Sequence, residues 1–131
     1  MNTTYIGRRG EKLAERYLKK SGYKILERNI HESHNELDIV AADKNYLVFV
    51  EVKTRSVLSD DAPLPYGSPA SAVTKEKQMR TVAAARKYLS RQCPKKHREK
   101  QPRMDVIEIY LDKTNGNLLK LNHIENAFGA N

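Results

Sequence analysis

The stretch that decides the fold is ELDIVAADKNYLVFVEVK, residues 36–53. It contains two mostly apolar runs, 36–40 and 47–53, separated by a polar sequence typical of turns. In a strand, successive side chains point to opposite faces, and both runs can be read with that period of two. The natural connection is a hairpin with a two-residue loop at Lys44-Asn45. The sequence therefore predicts two antiparallel strands at the centre of the fold.

The alternation assigns each side chain of the hairpin to a face. In the second run, one face carries Leu47, Phe49, Glu51 and Lys53, and the other carries Val48, Val50 and Val52. In the first run, one face carries Glu36, Asp38 and Val40, and the other carries Leu37, Ile39 and Ala41. The charged residues of each run are therefore predicted to share a face.

The predicted register brings carboxylates together: Asp38 lies opposite Glu51, and Glu36 lies opposite Lys53. Opposed Cβ atoms are about 4.5–5.5 Å apart, and two carboxylates at that distance repel by about 3 kcal/mol at an effective dielectric of about 20. A cation such as Mg²⁺ would turn this repulsion into ligation, since it binds carboxylate oxygens together with water and phosphate. Lys53 could then orient a water or hold a phosphate. The simpler alternative, that Glu51 and Lys53 are solvated at a strand end, stays open.

Size and composition limit the class of protein. With 131 residues, 39% of them hydrophobic, the chain is expected to form one domain, 1–131, with a single modest core. No apolar run is long enough to span a bilayer, and the first residues lack an apolar signal-peptide core. The single cysteine, Cys93, excludes an internal disulfide, so we expect a cytoplasmic protein without a membrane. The net charge of +8 favours a polyanionic partner, most commonly nucleic acid.

A helix over 4–21 precedes the hairpin, with an apolar stripe at Leu13, Ala14, Tyr17 and Leu18. Glu11 leans toward this stripe and is either solvated or a third carboxylate of the metal site. Gly7 and Gly10 are costly within a helix. They indicate either a frayed first turn or a close approach of the backbone to another element or to a phosphate.

The remaining sequence completes an α/β (α+β) domain. Strands are predicted at 23–30, 104–111 and 118–124, which with the hairpin give a mixed sheet of about five strands, and a second helix is predicted at 72–92. Residues 31–35 read as a polar loop, and 54–70 and 93–102 read as mobile loops. Asp105, at the head of its strand, reads as structural.

The motifs GRRGE (7–11), NELDIV (35–40), VFVEVKTR (48–55) and RMDVI (103–107) resemble the YraN family of small bacterial proteins. The resemblance implies a restriction-endonuclease-like fold and an active-site pattern similar to that of archaeal Holliday junction resolvases. By that resemblance, Asp38, Glu51 and Lys53 are the catalytic residues, and Glu11, Asp38 and Glu51 bind Mg²⁺ or Mn²⁺. Glu36 matches a supporting acidic residue, and Asn35 stands where the family has glycine.

Three functional hypotheses follow. The first is a Mg²⁺-dependent nuclease acting on DNA, with nucleic-acid contacts from Arg8, Arg55, Lys75 and Lys77. The second is a nucleic-acid-binding or adaptor module that retains the fold without catalysis. The third is an interaction protein of a recombination or transport complex. Whether the protein forms a homodimer, as resolvases do, stays open.

Overall fold

A computed structural model describes residues 3–32, 35–58 and 73–129. In chain order the elements are helix α1 (Thr3–Lys20), strands β1 (Lys24–Glu32), β2 (Asn35–Ala42) and β3 (Tyr46–Val57), helix α2 (Lys75–Arg91), a 3₁₀ turn (Lys95–His97) and strands β4 (Gln101–Asp112) and β5 (Leu118–Phe128). The strands form one five-stranded sheet in the order β1-β2-β3-β4-β5. Only the β3–β4 pair is parallel, and α2 lies in the crossover between them. The predicted fold class is confirmed, and the architecture is consistent with a restriction-endonuclease-like fold.

The central hairpin has the predicted register, from Ile39 opposite Val50 to Ala42 opposite Leu47. Its loop is closed by Asp43, whose backbone N–H donates to the carbonyl of Tyr46 at 3.1 Å. The Asp43 carboxylate also accepts a hydrogen bond from the backbone N–H of Tyr46 at 2.7 Å, which stabilises the tight turn. The two-residue loop at Lys44-Asn45 is therefore confirmed.

The β2–β3 ladder ends at Ile39 and Val50, so the predicted pairing of Glu36 with Lys53 is wrong. The physical reason lies in Asp38, whose Oδ2 accepts the backbone N–H of Val52 at 2.9 Å. This N–H is then bonded to a side chain instead of a backbone carbonyl, and the strands separate beyond that point. Glu36 instead pairs with His31 of β1.

The sheet has a core on each face. On the α1 side, Val48 and Val50 pack with Ala14 and Leu18, and on the α2 side the core includes Leu47, Phe49, Val82, Ala85 and Tyr88. The predicted faces of β3 are thus confirmed. On β2 the prediction fails at Leu37, which joins the α2-side core although Ile39 lies on the α1 side. The alternation changes opposite Asn29, whose φ of 50° is left-handed and distorts the neighbouring strand.

Three predicted loops differ from the structure. The strands β1 and β2 extend to Glu32 and Asn35, so most of the predicted polar loop 31–35 is paired strand, and 33–34 lie outside the described residues. Strand β3 continues to Val57, pairing with β4, while 59–70 of the predicted loop 54–70 lie outside the described residues. Segment 93–102 contains the 3₁₀ turn, with Cys93 and His97 buried, and leads into β4. It is therefore structured, and its mobility stays a prediction.

Both helices begin or end with recognisable signals. Helix α1 is terminated by Gly22, two residues after its last helical residue, with a φ of 96°. The backbone N–H of Tyr23 donates to the carbonyl of Leu18, as in a Schellman motif. Helix α2 is capped by Thr74, whose side chain accepts the N–H of Lys77 at 3.1 Å. In the described part of the chain, neither helix has the length and hydropathy needed to cross a membrane.

Candidate functional site

Asp38 and Glu51 meet just beyond the end of the β2–β3 ladder. The Glu51 side chain is buried, with 5% of its surface exposed, and Asp38 is half-buried. The two carboxyl groups lie close enough for each to shift the pKa of the other. The hairpin therefore holds together two groups of the same charge type.

The environment of this pair disfavours full ionisation. Burial, followed by the negative charge of Asp38, raises the pKa of Glu51 to about 7. Burial also raises the pKa of Asp38, although the hydrogen bonds from the Val52 N–H and from Glu51 oppose that effect. Near neutral pH, Glu51 is consequently the group that exchanges a proton.

Two lysines approach the pair from different elements. The Nζ atom of Lys53, on β3, lies 3.7 Å from Oε1 of Glu51, and the Nζ atom of Lys77, on α2, lies 3.6 Å from the same oxygen. Both ammonium groups favour the ionised form of Glu51. The sequence predicted Lys53 as a catalytic residue and Lys77 as a phosphate contact. No signal in the sequence indicated direct contact of Lys77 with Glu51.

Helix α1 reaches the pair through Gly10 and Glu11. A Cβ atom on Gly10 would lie 1.8 Å from Oγ1 of Thr54, so glycine is needed for the close approach of α1 to β3. Close approach to another element was one of the two alternatives that the sequence left open for this glycine. Gly7 has open space around it. Burial, and then the charge of Asp38, raises the pKa of Glu11, whereas a hydrogen bond with Asn29 opposes the rise. Glu11 therefore lies in the electrostatic field of the pair.

Sequence reasoning missed Asn29, which lies within β1 with a left-handed backbone. Its left-handed φ of 50° and its hydrogen bond with Glu11 connect β1 to α1. The signal available was an asparagine within a predicted strand, since asparagine is depleted in strands and tolerates a left-handed backbone.

The donor set fits a hard divalent cation that binds through two carboxylates. Mg²⁺ is commonly held by one or two carboxylates, with water and phosphate completing its shell. Among the residues that the structure describes, no three His, Cys, Asp or Glu side chains lie close enough together to form a metal site. Glu11 is thus not grouped with Asp38 and Glu51 as a direct ligand, and the metal-binding role of these three residues stays a prediction.

A cleft of about 310 Å³ adjoins the pair between α1 and the β1–β2 hairpin. It is lined by Arg8, Glu11, Lys12, Glu15, Arg28, Asn29, Asp38 and Ile39. Because Asp38 belongs both to the cleft and to the carboxylate pair, a ligand in the cleft would lie next to the pair.

Arg55 and Lys75 are placed apart from the pair, whereas the charge of Glu36 contributes to the raised pKa values of Asp38 and Glu11. Arg55 is exposed, and Lys75 lines a separate groove on the outer side of α2 with Met79 and Arg86. Glu36 is exposed, with its Oε1 atom 3.4 Å from Nδ1 of His31. The nucleic-acid contacts and the supporting role of Glu36 stay predictions.

Comparison with known proteins identifies the family. Residues 10–109 match the family described as Uncharacterised protein family UPF0102. A UPF0102 protein of Caldanaerobacter subterraneus subsp. tengcongensis is 43% identical over 128 residues, covering 98% of each chain. UPF0102 proteins of Chlorobium phaeobacteroides and Clostridium botulinum are 45% and 44% identical over 126 and 124 residues, in each case covering 94% of this chain and 93% of the relative. The chain therefore belongs to the UPF0102 family, which is the YraN family that its motifs resemble.

Proposed function

We propose that this protein is a nuclease that uses Mg²⁺ or Mn²⁺ to hydrolyse phosphodiester bonds in DNA. One observation carries the proposal: Asp38 and Glu51 are held together with raised pKa values, and Lys53 and Lys77 lie within 3.7 Å of Glu51. Ionisable groups whose pKa values are shifted by burial and by specific charged neighbours are concentrated at functional sites.

Stability alone does not account for this arrangement. Two carboxyl groups in contact at a half-buried position destabilise the folded state when both are ionised. A cation bound between them would remove that repulsion and favour both ionised forms. The pair is thus better suited to holding a cation than to holding the fold.

Each side chain has a distinct role in the proposed reaction. Asp38 and Glu51 would hold the cation, which when bound supplies Lewis-acid activation of water and neutralises charge at the phosphate. The Val52 N–H fixes the Asp38 carboxylate, at 2.9 Å. Lys53 would orient the attacking water or stabilise the developing charge on the phosphate. Lys77, which carries the other ammonium group near Glu51, would contact a non-bridging phosphate oxygen.

The charge of the chain supports a nucleic-acid substrate. The net charge is +8, so the pair of Asp38 and Glu51 is an acidic site in a basic protein. Basic side chains attract the phosphate backbone without regard to sequence. The pair would then receive a phosphodiester that the surrounding charges have drawn to the surface.

The experiment that tests this proposal is single-turnover cleavage of labelled duplex, nicked, branched and single-stranded DNA with Mg²⁺ or Mn²⁺. We expect cleavage by the wild type, none in EDTA, and a loss of at least about 10³-fold in Glu51→Gln, as for removal of a central catalytic group. Glu76→Gln is the matched control because Glu76 is an exposed glutamate beside Lys77. Cleavage by Glu51→Gln at the wild-type rate would reject the mechanism.

A non-catalytic nucleic-acid-binding module is the second candidate. The observation that favours it is that no three potential ligand side chains gather within residues 3–32, 35–58 and 73–129. This candidate predicts salt-dependent DNA binding, with no hydrolysis by the wild type under any of the metal conditions above.

A further inference from the structure

The cleft beside Asp38 has a regular wall. Arg8, Glu11, Lys12 and Glu15 all line it, and their spacing places them on one face of α1 over two turns. The opposite wall comes from the β1–β2 hairpin and includes Asn29 and the buried Ile39. The wall formed by α1 is about 10 Å long, at 1.5 Å per residue.

Charge is unevenly distributed in this cleft. Glu15 is neutralised by its neighbours: Nε of Arg28 donates to it at 2.8 Å, and Nζ of Lys19 lies 3.1 Å away. The hydrogen bond from Arg28 lowers the pKa of Glu15 to about 2, so the pair persists over the whole working pH range. Arg8 and Lys12 are exposed and form no ion pair within the described parts of the chain. They are one helical turn apart, about 6 Å along the axis.

The dimensions suit one nucleotide rather than a double helix. A volume of about 310 Å³ is at the lower end of the range for pockets that enclose a small organic ligand. A cleft of about 310 Å³ is too small to enclose both nucleotides of a base pair. The cleft offers an exposed amide at Asn29, which can hydrogen-bond to a base.

We infer that this cleft receives one unpaired nucleotide of the substrate strand directly beside the cut, with the phosphates on either side of it bound by Arg8 and Lys12. The inference rests on the proposed nuclease function and specifies its substrate class, DNA that is single-stranded next to the scissile bond. Asp38 connects the two sites, because it lines the cleft and its charge acts on Glu51.

The test compares two double variants in DNA binding, measured by fluorescence anisotropy in EDTA over a range of salt concentrations. Arg8→Ala/Lys12→Ala removes the proposed contacts. Arg16→Ala/Lys20→Ala is the matched control, since it removes the same charge with the same spacing from exposed positions of the same helix. Labelled single-stranded DNA and a duplex of the same sequence serve as probes.

We expect the wild type to bind single-stranded DNA at least about tenfold more tightly than duplex. In Arg8→Ala/Lys12→Ala this preference disappears, and the slope of log K against log salt falls in magnitude by about 1.4, the value for two phosphate contacts on a single strand. The control variant retains the wild-type preference and slope. Equal effects of the two double variants, or a wild type that prefers duplex, would overturn the inference.

The proposed function can fail separately. If the binding pattern appears but no metal-dependent cleavage does, the nuclease proposal is wrong and the assignment of the cleft stands. If cleavage is observed while the two double variants bind alike, the assignment of the cleft alone is wrong. A wild type that binds neither probe overturns both.

Discussion

Two of the buried acidic side chains of the sheet, Asp105 and Glu51, lie on opposite faces and are stabilised in opposite ways. On the α1 side, Asp105 is fully buried and accepts hydrogen bonds at 2.7–2.9 Å from Arg103 Nε and Nη2, His123 Nε2 and the Asn126 N–H. Nδ1 of His123 is in turn hydrogen-bonded to the Tyr17 hydroxyl at 2.9 Å, which ties α1 to the sheet. On the α2 side, Glu51 instead has another carboxyl group, that of Asp38, as a neighbour whose negative charge raises its pKa.

The pKa values differ in the same sense. Burial alone would raise the pKa of Asp105, but the hydrogen bonds from His123, Arg103 and Asn126 outweigh it and lower the pKa below its usual range. At Glu51, burial and the charge of Asp38 outweigh the two lysines. Equal burial therefore produces a charged, satisfied group at one place and an easily protonated one at the other. A charged and fully hydrogen-bonded group such as Asp105 is typical of a structural role, as the sequence indicated. An easily protonated group such as Glu51 is typical of a functional site.

The largest expected effect is a difference in unfolding free energy between a variant of Asp105 and a variant of Glu51. Asp105→Asn removes the buried charged partner of Arg103 and leaves it with the exposed Glu125, 3.8 Å away, so we expect the free energy of unfolding to fall by about 3–5 kcal/mol. Glu51→Gln removes a charge from an unfavourable position and should leave stability at pH 8 unchanged or higher. Urea unfolding of both variants and the wild type in EDTA measures this difference. A loss of less than about 1 kcal/mol in Asp105→Asn would show that the two groups are not distinct in this way.

The next effect, of up to about 3 kcal/mol, is a pH dependence to which the Glu51 group contributes and the Asp105 group does not. The folded-state pKa of about 7 lies above the ordinary value of 4.5, so the folded protein binds this proton more tightly than the unfolded chain does. The stabilisation is complete below pH 4.5 and is lost as the pH rises through about 7. We expect the unfolding free energy of the metal-free wild type to decrease from pH 5 to pH 8, measured by urea titration.

The same titration contains its controls. Glu51→Gln should remove most of the slope, whereas Glu36→Gln should keep it because Glu36 is exposed. Asp105 does not contribute in this window, since its lowered pKa places its titration below pH 3.8. Saturating Mg²⁺ should restore stability at pH 8 in the wild type but not in Glu51→Gln. An unchanged slope in Glu51→Gln would assign the pH dependence to other groups.

Which of these contacts the sequence could predict depends on how far apart in the chain the contacting residues lie. The opposition of Asp38 and Glu51 follows from local rules, because a period of two and a two-residue loop fix the register. The contact between Lys77 and Glu51 does not, because it depends on how α2 crosses the sheet. The network around Asp105 joins residues as far apart in sequence as Tyr17 and His123, and no local pattern indicates that they meet.

The errors also have local physical causes. A regular alternation predicted Leu37 and Ile39 on one face, but the left-handed backbone at Asn29 changes the geometry of the neighbouring strand. The pairing of Glu36 with Lys53 was expected from an uninterrupted ladder, and the side chain of Asp38 interrupts it. Both departures occur at the candidate site, where function commonly overrides regular structure.

The smallest expected effect comes from Gly10, which sets the distance of α1, and hence of Glu11, from the carboxylate pair. In Gly10→Ala the new Cβ would lie 1.8 Å from Oγ1 of Thr54, so the helix must move away from β3. We expect a loss of about 2 kcal/mol in unfolding free energy, because overpacking outweighs the better helix propensity of alanine. Gly7→Ala, with no atom within 4 Å of its Cβ, should instead gain up to about 1 kcal/mol. Gly10→Ala/Thr54→Ala should recover part of the loss. Equal stabilities of the Gly7 and Gly10 variants in urea unfolding would mean that α1 is not held against β3 at this point, and that Glu11 is free of the pair.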